Sequence, residues 1–103
     1  MRIVTPLLML TGLVGCIPTE DVAFDVKAGV AFTHTESVDL LSEGFTFTTT
    51  GAPAGLSITE GEWEDVVFEG TLDAGEYAFT IDFDHYGDVG SGRSRWEVTV
   101  LAQ

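Results

Sequence analysis

Strict alternation of apolar and polar side chains over the stretch EYAFTIDFD is the feature that most constrains how this chain can fold. Its two sets of positions are Tyr77, Phe79, Ile81 and Phe83 on one side, and Ala78, Thr80, Asp82 and Asp84 on the other. Successive side chains of a β-strand point to opposite faces, so this run predicts a strand with one buried face. After residue 21, no stretch keeps the i, i+3, i+4, i+7 spacing of an amphipathic helix over several turns. This part of the chain is therefore predicted to be all-β.

Shorter segments repeat the alternation and are separated by glycines. They are 22–35, with Ala28 and Gly29 between two alternating halves, 44–50, 62–70 and 95–101. The interruption at Ala28 and Gly29 predicts a kink or a change of sheet, because glycine inside a strand weakens it. Six or seven short strands favour a two-sheet antiparallel sandwich, with a small barrel as the alternative. The predicted core comprises Phe47, Leu56, Phe68, Phe79, Ile81, Trp96 and Val98.

The first fifteen residues, MRIVTPLLMLTGLVG, differ from the rest because they hold one arginine, an apolar run and then small residues. This is the layout of a secretory signal, and the apolar run is too short to span a bilayer as a stable helix. Leu13 to Cys16 read LVGC, which resembles the bacterial lipobox, with a leucine three positions before a cysteine and a small residue directly before it. The alternative is an ordinary signal peptide, or a buried apolar strand, with an incidental cysteine.

The lipobox resemblance implies that Cys16 is the site of lipidation. Cleavage would fall between Gly15 and Cys16, the thiol would carry a diacylglycerol group, and the new N-terminus would be acylated, for example with palmitate. The chain then divides into a removed signal peptide (1–15), a lipidated N-terminus with a short tether (16–21) and a folded domain (22–103). The residue after the cysteine is Ile17 and not aspartate. In a two-membrane bacterium, the sorting habit of such lipoproteins then favours the outer membrane.

Composition restricts the partners and the means of stabilisation. The 103 residues include 17 acidic and 4 basic side chains, with a formal net charge of −13, and a single cysteine. Such a charge repels nucleic acid and anionic lipid headgroups and favours cations or basic proteins. One cysteine forms no internal disulfide and no thiolate metal site.

Three segments resemble bacterial immunoglobulin-like modules of the cadherin-like and dystroglycan-like group. They are GAPAGLSI (51–58), FEGTLDAGEYAFTI (68–81) and WEVTVL (96–101), in the order and spacing of that group, and the likeness extends over residues 45–101. The resemblance implies an immunoglobulin-like (cadherin-like) sandwich that serves as a spacer, an adhesion unit or a ligand-binding unit of the cell envelope.

The stretch DFDHYGD is the candidate cation site, because Asp82, Asp84 and Asp88 supply the carboxylate oxygens that calcium prefers. It does not match the EF-hand loop, since Tyr86 and Arg93 occupy ligand positions five and twelve counted from Asp82. The favoured interpretation is a solvated strand face that enters a hairpin loop, so no cofactor is predicted and calcium is the alternative.

Tyr86, Arg93 and Arg95 flank the following loop and form a candidate binding tip, because binding residues concentrate on loops held by rigid strands. The favoured interpretation is structural: the two arginines neutralise the aspartates across the hairpin.

A second acidic stretch, ITEGEWED, places Glu60, Glu62 and Glu64 two residues apart. In an extended chain they would project from one side, as solvated charges on a sheet edge or as cation ligands. Trp63 lies between them and is predicted to be a core residue, with an exposed platform for stacking on sugars as the alternative.

Catalytic signatures are missing from the sequence. Histidines occur at His34 and His85, but there is no Gly-x-Ser-x-Gly elbow, His-Glu-x-x-His motif or phosphate loop. The chain is therefore predicted not to be an enzyme. Its expected function is that of a membrane-tethered envelope lipoprotein with a structural, adhesion or ligand-binding module that contacts envelope protein or glycan. The alternative is an acidic lipoprotein that captures or inhibits a basic protein such as a lysozyme.

Overall fold

The computed structural model describes residues 17–38, 44–86 and 92–103, and within them the chain is all-β. The seven strands are β1 (Thr19–Val26), β2 (Phe32–Ser37), β3 (Gly44–Thr50), β4 (Leu56–Glu60), β5 (Asp65–Gly70), β6 (Gly75–Tyr86) and β7 (Gly92–Ala102). β1 begins within the segment 16–21 that the sequence assigned to a tether. The signal segment 1–15, Cys16 and Asp88 lie outside the described residues.

The strands form two sheets, with the order β1-β7-β6-β3 in one and β2-β5-β4 in the other. The predicted two-sheet sandwich is therefore confirmed and the barrel alternative is not. The division of β2 to β7 between the sheets is that of a seven-stranded immunoglobulin-like sandwich. β1 departs from the antiparallel arrangement, since it joins the larger sheet by pairing in parallel with β7.

The core lies between the two sheets and follows the predicted alternation. Five of the seven predicted core residues are buried: Phe68, Phe79, Ile81, Trp96 and Val98. The other two, Phe47 and Leu56, are half-buried and pack against them. Phe83 meets Trp96 edge to face with ring centroids 4.9 Å apart, a favourable geometry for two aromatic rings.

The predicted change of sheet after β1 is confirmed. β1 belongs to the four-stranded sheet and β2 to the three-stranded sheet, and residues 27–31 connect them. Gly29 lies in this crossing with a φ of 75°, a conformation that glycine adopts without steric cost. Its amide N–H donates to the carbonyl oxygen of Leu72 at 2.8 Å.

The sandwich has two opposite ends, which we name after a residue at each. At the end we call the Gly29 end, the Gly29 amide binds Leu72, and the Ala28 amide donates to the Gln103 carbonyl at 3.1 Å. At the other end, which we call the Trp63 end, the Val38 amide donates to the Glu64 carbonyl at 3.0 Å, and the Arg95 amide donates to the Pro18 carbonyl at 2.9 Å. The first described residues and the β4–β5 turn (61–64) therefore belong to one end of the molecule.

Candidate functional site

Two acid–arginine pairs cross the β6–β7 hairpin on the outer face of the larger sheet. Strand register places Asp82 opposite Arg95, and Asp84 opposite Arg93. Arg95 Nε donates to Asp82 Oδ1 at 2.6 Å, and Arg93 Nε donates to Asp84 Oδ1 at 3.1 Å. The predicted neutralisation of Asp82 and Asp84 by these arginines is therefore observed.

Exposure limits what these pairs contribute to stability. Both partners of the Arg95–Asp82 pair are 40% exposed, and the Arg93 and Asp84 side chains are 71% and 64% exposed. Ion pairs that open to water contribute about 0–1 kcal/mol because solvent screens the attraction. The pairs therefore neutralise charge on this face and contribute little to the free energy of folding.

A shallow polar pocket of about 310 Å³ lies over the paired residues. Thr48 of β3, Ser94 of β7 and Ile17 also line this pocket. The pocket therefore lies at two charged pairs, next to the start of β1. A second pocket of about 420 Å³ lies between Pro18, Val38 and Trp96 at the Trp63 end.

The calcium hypothesis stays a prediction. Across 17–38, 44–86 and 92–103, no three acidic, histidine or cysteine side chains form a group that could hold a metal ion. Asp82 and Asp84 each bind an arginine, so a cation at this position would have to displace a guanidinium from each carboxylate. Asp88, the third proposed ligand, lies outside the described residues, as does the side chain of Tyr86 from the proposed binding tip.

The prediction that Trp63 is a core residue is wrong, because its side chain is 81% exposed. Residues 61–64 form the turn between β4 and β5, and the Gly61 amide closes it by donating to the Asp65 carbonyl at 2.7 Å. Glu64 completes the turn with a φ of 61°, which is uncommon for a residue with a side chain.

The same turn overturns the expectation that Glu60, Glu62 and Glu64 project together from an extended chain. Glu60 ends β4, whereas Glu62 and Glu64 lie in the turn. Gly61, two residues before Trp63, is a turn signal, and it was the local sequence cue for a turn at this position.

The two histidines lie on different sheets, His34 on β2 and His85 on β6. His34 Nε2 lies 2.7 Å from Glu36 Oε2 on the same strand, and its ring stacks on Phe24 with centroids 3.9 Å apart. The stacking links the two sheets, because Phe24 belongs to β1 and His34 to β2. His85 lies opposite Gly92 on the hairpin.

None of the described residues forms a helix long and apolar enough to cross a bilayer.

Comparison with known proteins detects likeness only at the level of solved structures. No family model and no curated protein matches the chain. An endo-fucoidan hydrolase of glycoside hydrolase family 107 is similar with a TM-score of 0.57 and 24% identity over 84% of this chain, and a variant of that hydrolase matches equally. A sialyltransferase from Photobacterium damsela is similar with a TM-score of 0.46 and 13% identity, over 82% of this chain and 18% of its own length. The chain spans only 13% of the hydrolase, so this likeness concerns one part of that protein and shows the fold.

The hydrolase overturns the prediction that this chain is not an enzyme. A sandwich of this fold is part of an enzyme, so the missing signatures could not exclude an enzymatic context. The physical reason is that one fold can support many different active sites, and short sequence motifs identify only some of these sites.

Proposed function

We propose that this chain is an exported bacterial lipoprotein whose β-sandwich is held at the cell envelope by a lipid on Cys16 and serves there as a structural, adhesion or ligand-binding unit. The observation that carries the proposal is the position of the first strand. β1 begins at Thr19, three residues after the cysteine of the LVGC motif, and all seven strands lie downstream of it. Cleavage before Cys16 would therefore remove a leader and leave every strand of the described residues intact.

The proposed anchor explains how so acidic a chain can stay at a membrane. A net charge of −13 opposes binding to anionic lipid headgroups. Each buried methylene of an acyl chain contributes about 0.8 kcal/mol, so one chain binds marginally and two or more hold a protein stably. With such an anchor, the folded domain needs no lipid affinity of its own, and its polar faces remain available to envelope protein or glycan.

A second candidate, capture of a basic protein, is favoured by one feature of the larger sheet. Asp21 of β1 lies opposite Glu97 of β7, and both side chains are exposed. Like charges directly opposite each other across two strands are destabilising unless they are solvated or meet a cation. A basic partner would relieve this repulsion.

The test of the anchor combines localisation with mass spectrometry of the N-terminal peptide. Cys16→Ser is expected to leave an uncleaved precursor or to release the domain from the membrane. Thr19→Ser is the matched control, because it places the same residue type three positions downstream and keeps the hydroxyl that donates to the Ile17 carbonyl at 3.0 Å. An exported chain that retains an unmodified Cys16 thiol would overturn the proposal.

A further inference from the structure

We infer that Trp63 lies in the headgroup region of the membrane to which the Cys16 lipid anchors the chain, and that the Trp63 end of the sandwich faces that membrane. The inference rests on the proposed lipidation of Cys16 and adds to it a second, non-covalent contact and an orientation of the domain.

The first described residues and the turn that carries the exposed ring lie at the same end of the sandwich. The Pro18 carbonyl accepts a hydrogen bond from the Arg95 amide, which ties the chain to β7 two residues after Cys16. Pro18 and Val38 line one pocket, and the Val38 amide binds the Glu64 carbonyl in the turn that carries Trp63. The chain just after the anchor position and the residue that binds the Trp63 turn thus line one pocket at the same end of the sandwich.

The tether between Cys16 and the hydrogen bond of Pro18 to β7 is short. A residue spans at most about 3.3–3.6 Å, so the two steps from Cys16 through Ile17 to the hydrogen-bonded Pro18 extend by no more than about 7 Å. The polar layer on each side of a bilayer is of similar depth, about 5–8 Å. A lipidated Cys16 would therefore hold the Trp63 end against the headgroups.

The side chain of Trp63 is of the kind that lies at membrane–water interfaces. Tryptophan has a large apolar body and one N–H donor, and it concentrates at membrane–water interfaces for that reason. Trp63 and Val30 are the large hydrophobic side chains that are exposed among the described residues, with 81% and 47% exposure. Val30 lies in the connection at the Gly29 end, so only Trp63 is near the anchor.

The neighbouring carboxylates set the depth and the lipid preference. Glu62, next to Trp63 in the turn, and Glu60, at the end of β4, are both exposed. Ionised carboxylates resist transfer into hydrocarbon and repel anionic lipids. Trp63 is therefore expected to stay among the headgroups and to favour zwitterionic lipid. Stacking on a sugar would use the same ring, but the position beside the anchor favours lipid.

The experiment measures tryptophan quenching in the full chain, purified from membranes with its lipid and reconstituted in phosphatidylcholine vesicles. Subtracting the emission of Trp63→Phe, which keeps the buried Trp96, isolates the signal of Trp63. We expect a blue shift on reconstitution, a severalfold smaller quenching constant for aqueous iodide, and stronger quenching by a headgroup nitroxide than by a nitroxide in the middle of the acyl chain. Adding phosphatidylglycerol should reduce the nitroxide quenching.

The matched control moves the reporter to the opposite end of the sandwich. Val30→Trp in the Trp63→Phe background is expected to remain accessible to iodide and unquenched by either lipid probe. Equal lipid quenching at both positions would overturn the orientation.

The mass of the N-terminal peptide separates the two proposals. If Cys16 is lipidated and Trp63 is still open to iodide, the inference is wrong and the anchor stands. If Cys16 carries no lipid, both are wrong. Protection of Trp63 by soluble envelope polysaccharide, without nitroxide quenching, would overturn the membrane contact in favour of a sugar platform.

Discussion

At the scale of single residues, two glycines with positive φ have different surroundings. Gly70 ends β5 with a φ of 154°, and a Cβ atom built there would collide with the backbone carbonyl of Gly55. Gly29 has a φ of 75°, and a Cβ atom there would meet no atom within 4 Å. A side chain at residue 70 is therefore disfavoured by the backbone conformation and by lack of space, whereas a side chain at residue 29 is disfavoured by the backbone conformation alone.

Gly70→Ala is therefore expected to destabilise the sandwich more than Gly29→Ala. An unfavourable backbone conformation costs about 1–3 kcal/mol, and at Gly70 the collision with a carbonyl adds to that cost. The comparison is made by urea denaturation of the two variants and the unsubstituted chain, read as shifts in the transition midpoint. Equal midpoints for the two variants would mean that the chain around Gly55 moves aside without cost.

The faces of the strands were predictable from neighbouring residues, whereas Trp63 was not. Alternation in β6 and β7 placed Phe79, Ile81 and Val98 correctly, because period two is a local property of an extended chain. Whether an aromatic ring in a turn is buried depends on what packs over the turn, and the sequence alone does not supply that. The exposed ring on which the proposed membrane contact rests was for this reason assigned to the core.

At the scale of elements, strand pairing was only partly predictable. The β6–β7 hairpin joins strands that are adjacent in sequence, so the opposition of Asp82 and Arg95 followed from a short loop. The parallel pairing of β1 with β7 joins the two ends of the described chain, and no local pattern encodes such a distant partner. The acid–arginine pairs on the outer face of the hairpin were thus predicted from the sequence, whereas the position of Asp21 opposite Glu97 was not.

The β6–β7 hairpin gives a direct test of calcium binding. Because arginines already pair with Asp82 and Asp84, about 1 mM calcium, the range of weak extracellular modules, is expected to leave the melting temperature of the chain nearly unchanged. A bound ion at tenfold excess over its Kd would stabilise by roughly 1.4 kcal/mol, which shifts a domain of this size by several degrees. Asp84→Asn is the control. A calcium-dependent rise that this substitution removes would contradict the expectation.

At the scale of the whole molecule, fold and charge have separate roles. The sandwich buries its apolar residues between two sheets without a buried charged side chain among the described residues. The charged side chains of the described residues therefore reach solvent. The formal charge of −13 of the full chain governs solubility and the choice of partners. Anchoring at Cys16 would orient this charged surface relative to the membrane without the need for a basic patch.

Binding to a basic protein such as lysozyme, followed as a function of salt, distinguishes general acidity from a dedicated capture site. We expect binding at low ionic strength that is lost near 0.15 M, where charges more than about 8 Å apart are largely screened. A site built around Asp21 and Glu97 would make close contacts that salt screens less, and its binding would persist. Asp21→Asn is compared with Asp25→Asn, which removes one charge from the same strand without altering the pair with Glu97. Binding that survives physiological salt and is lost only in Asp21→Asn would establish capture of a basic protein as the function of this surface.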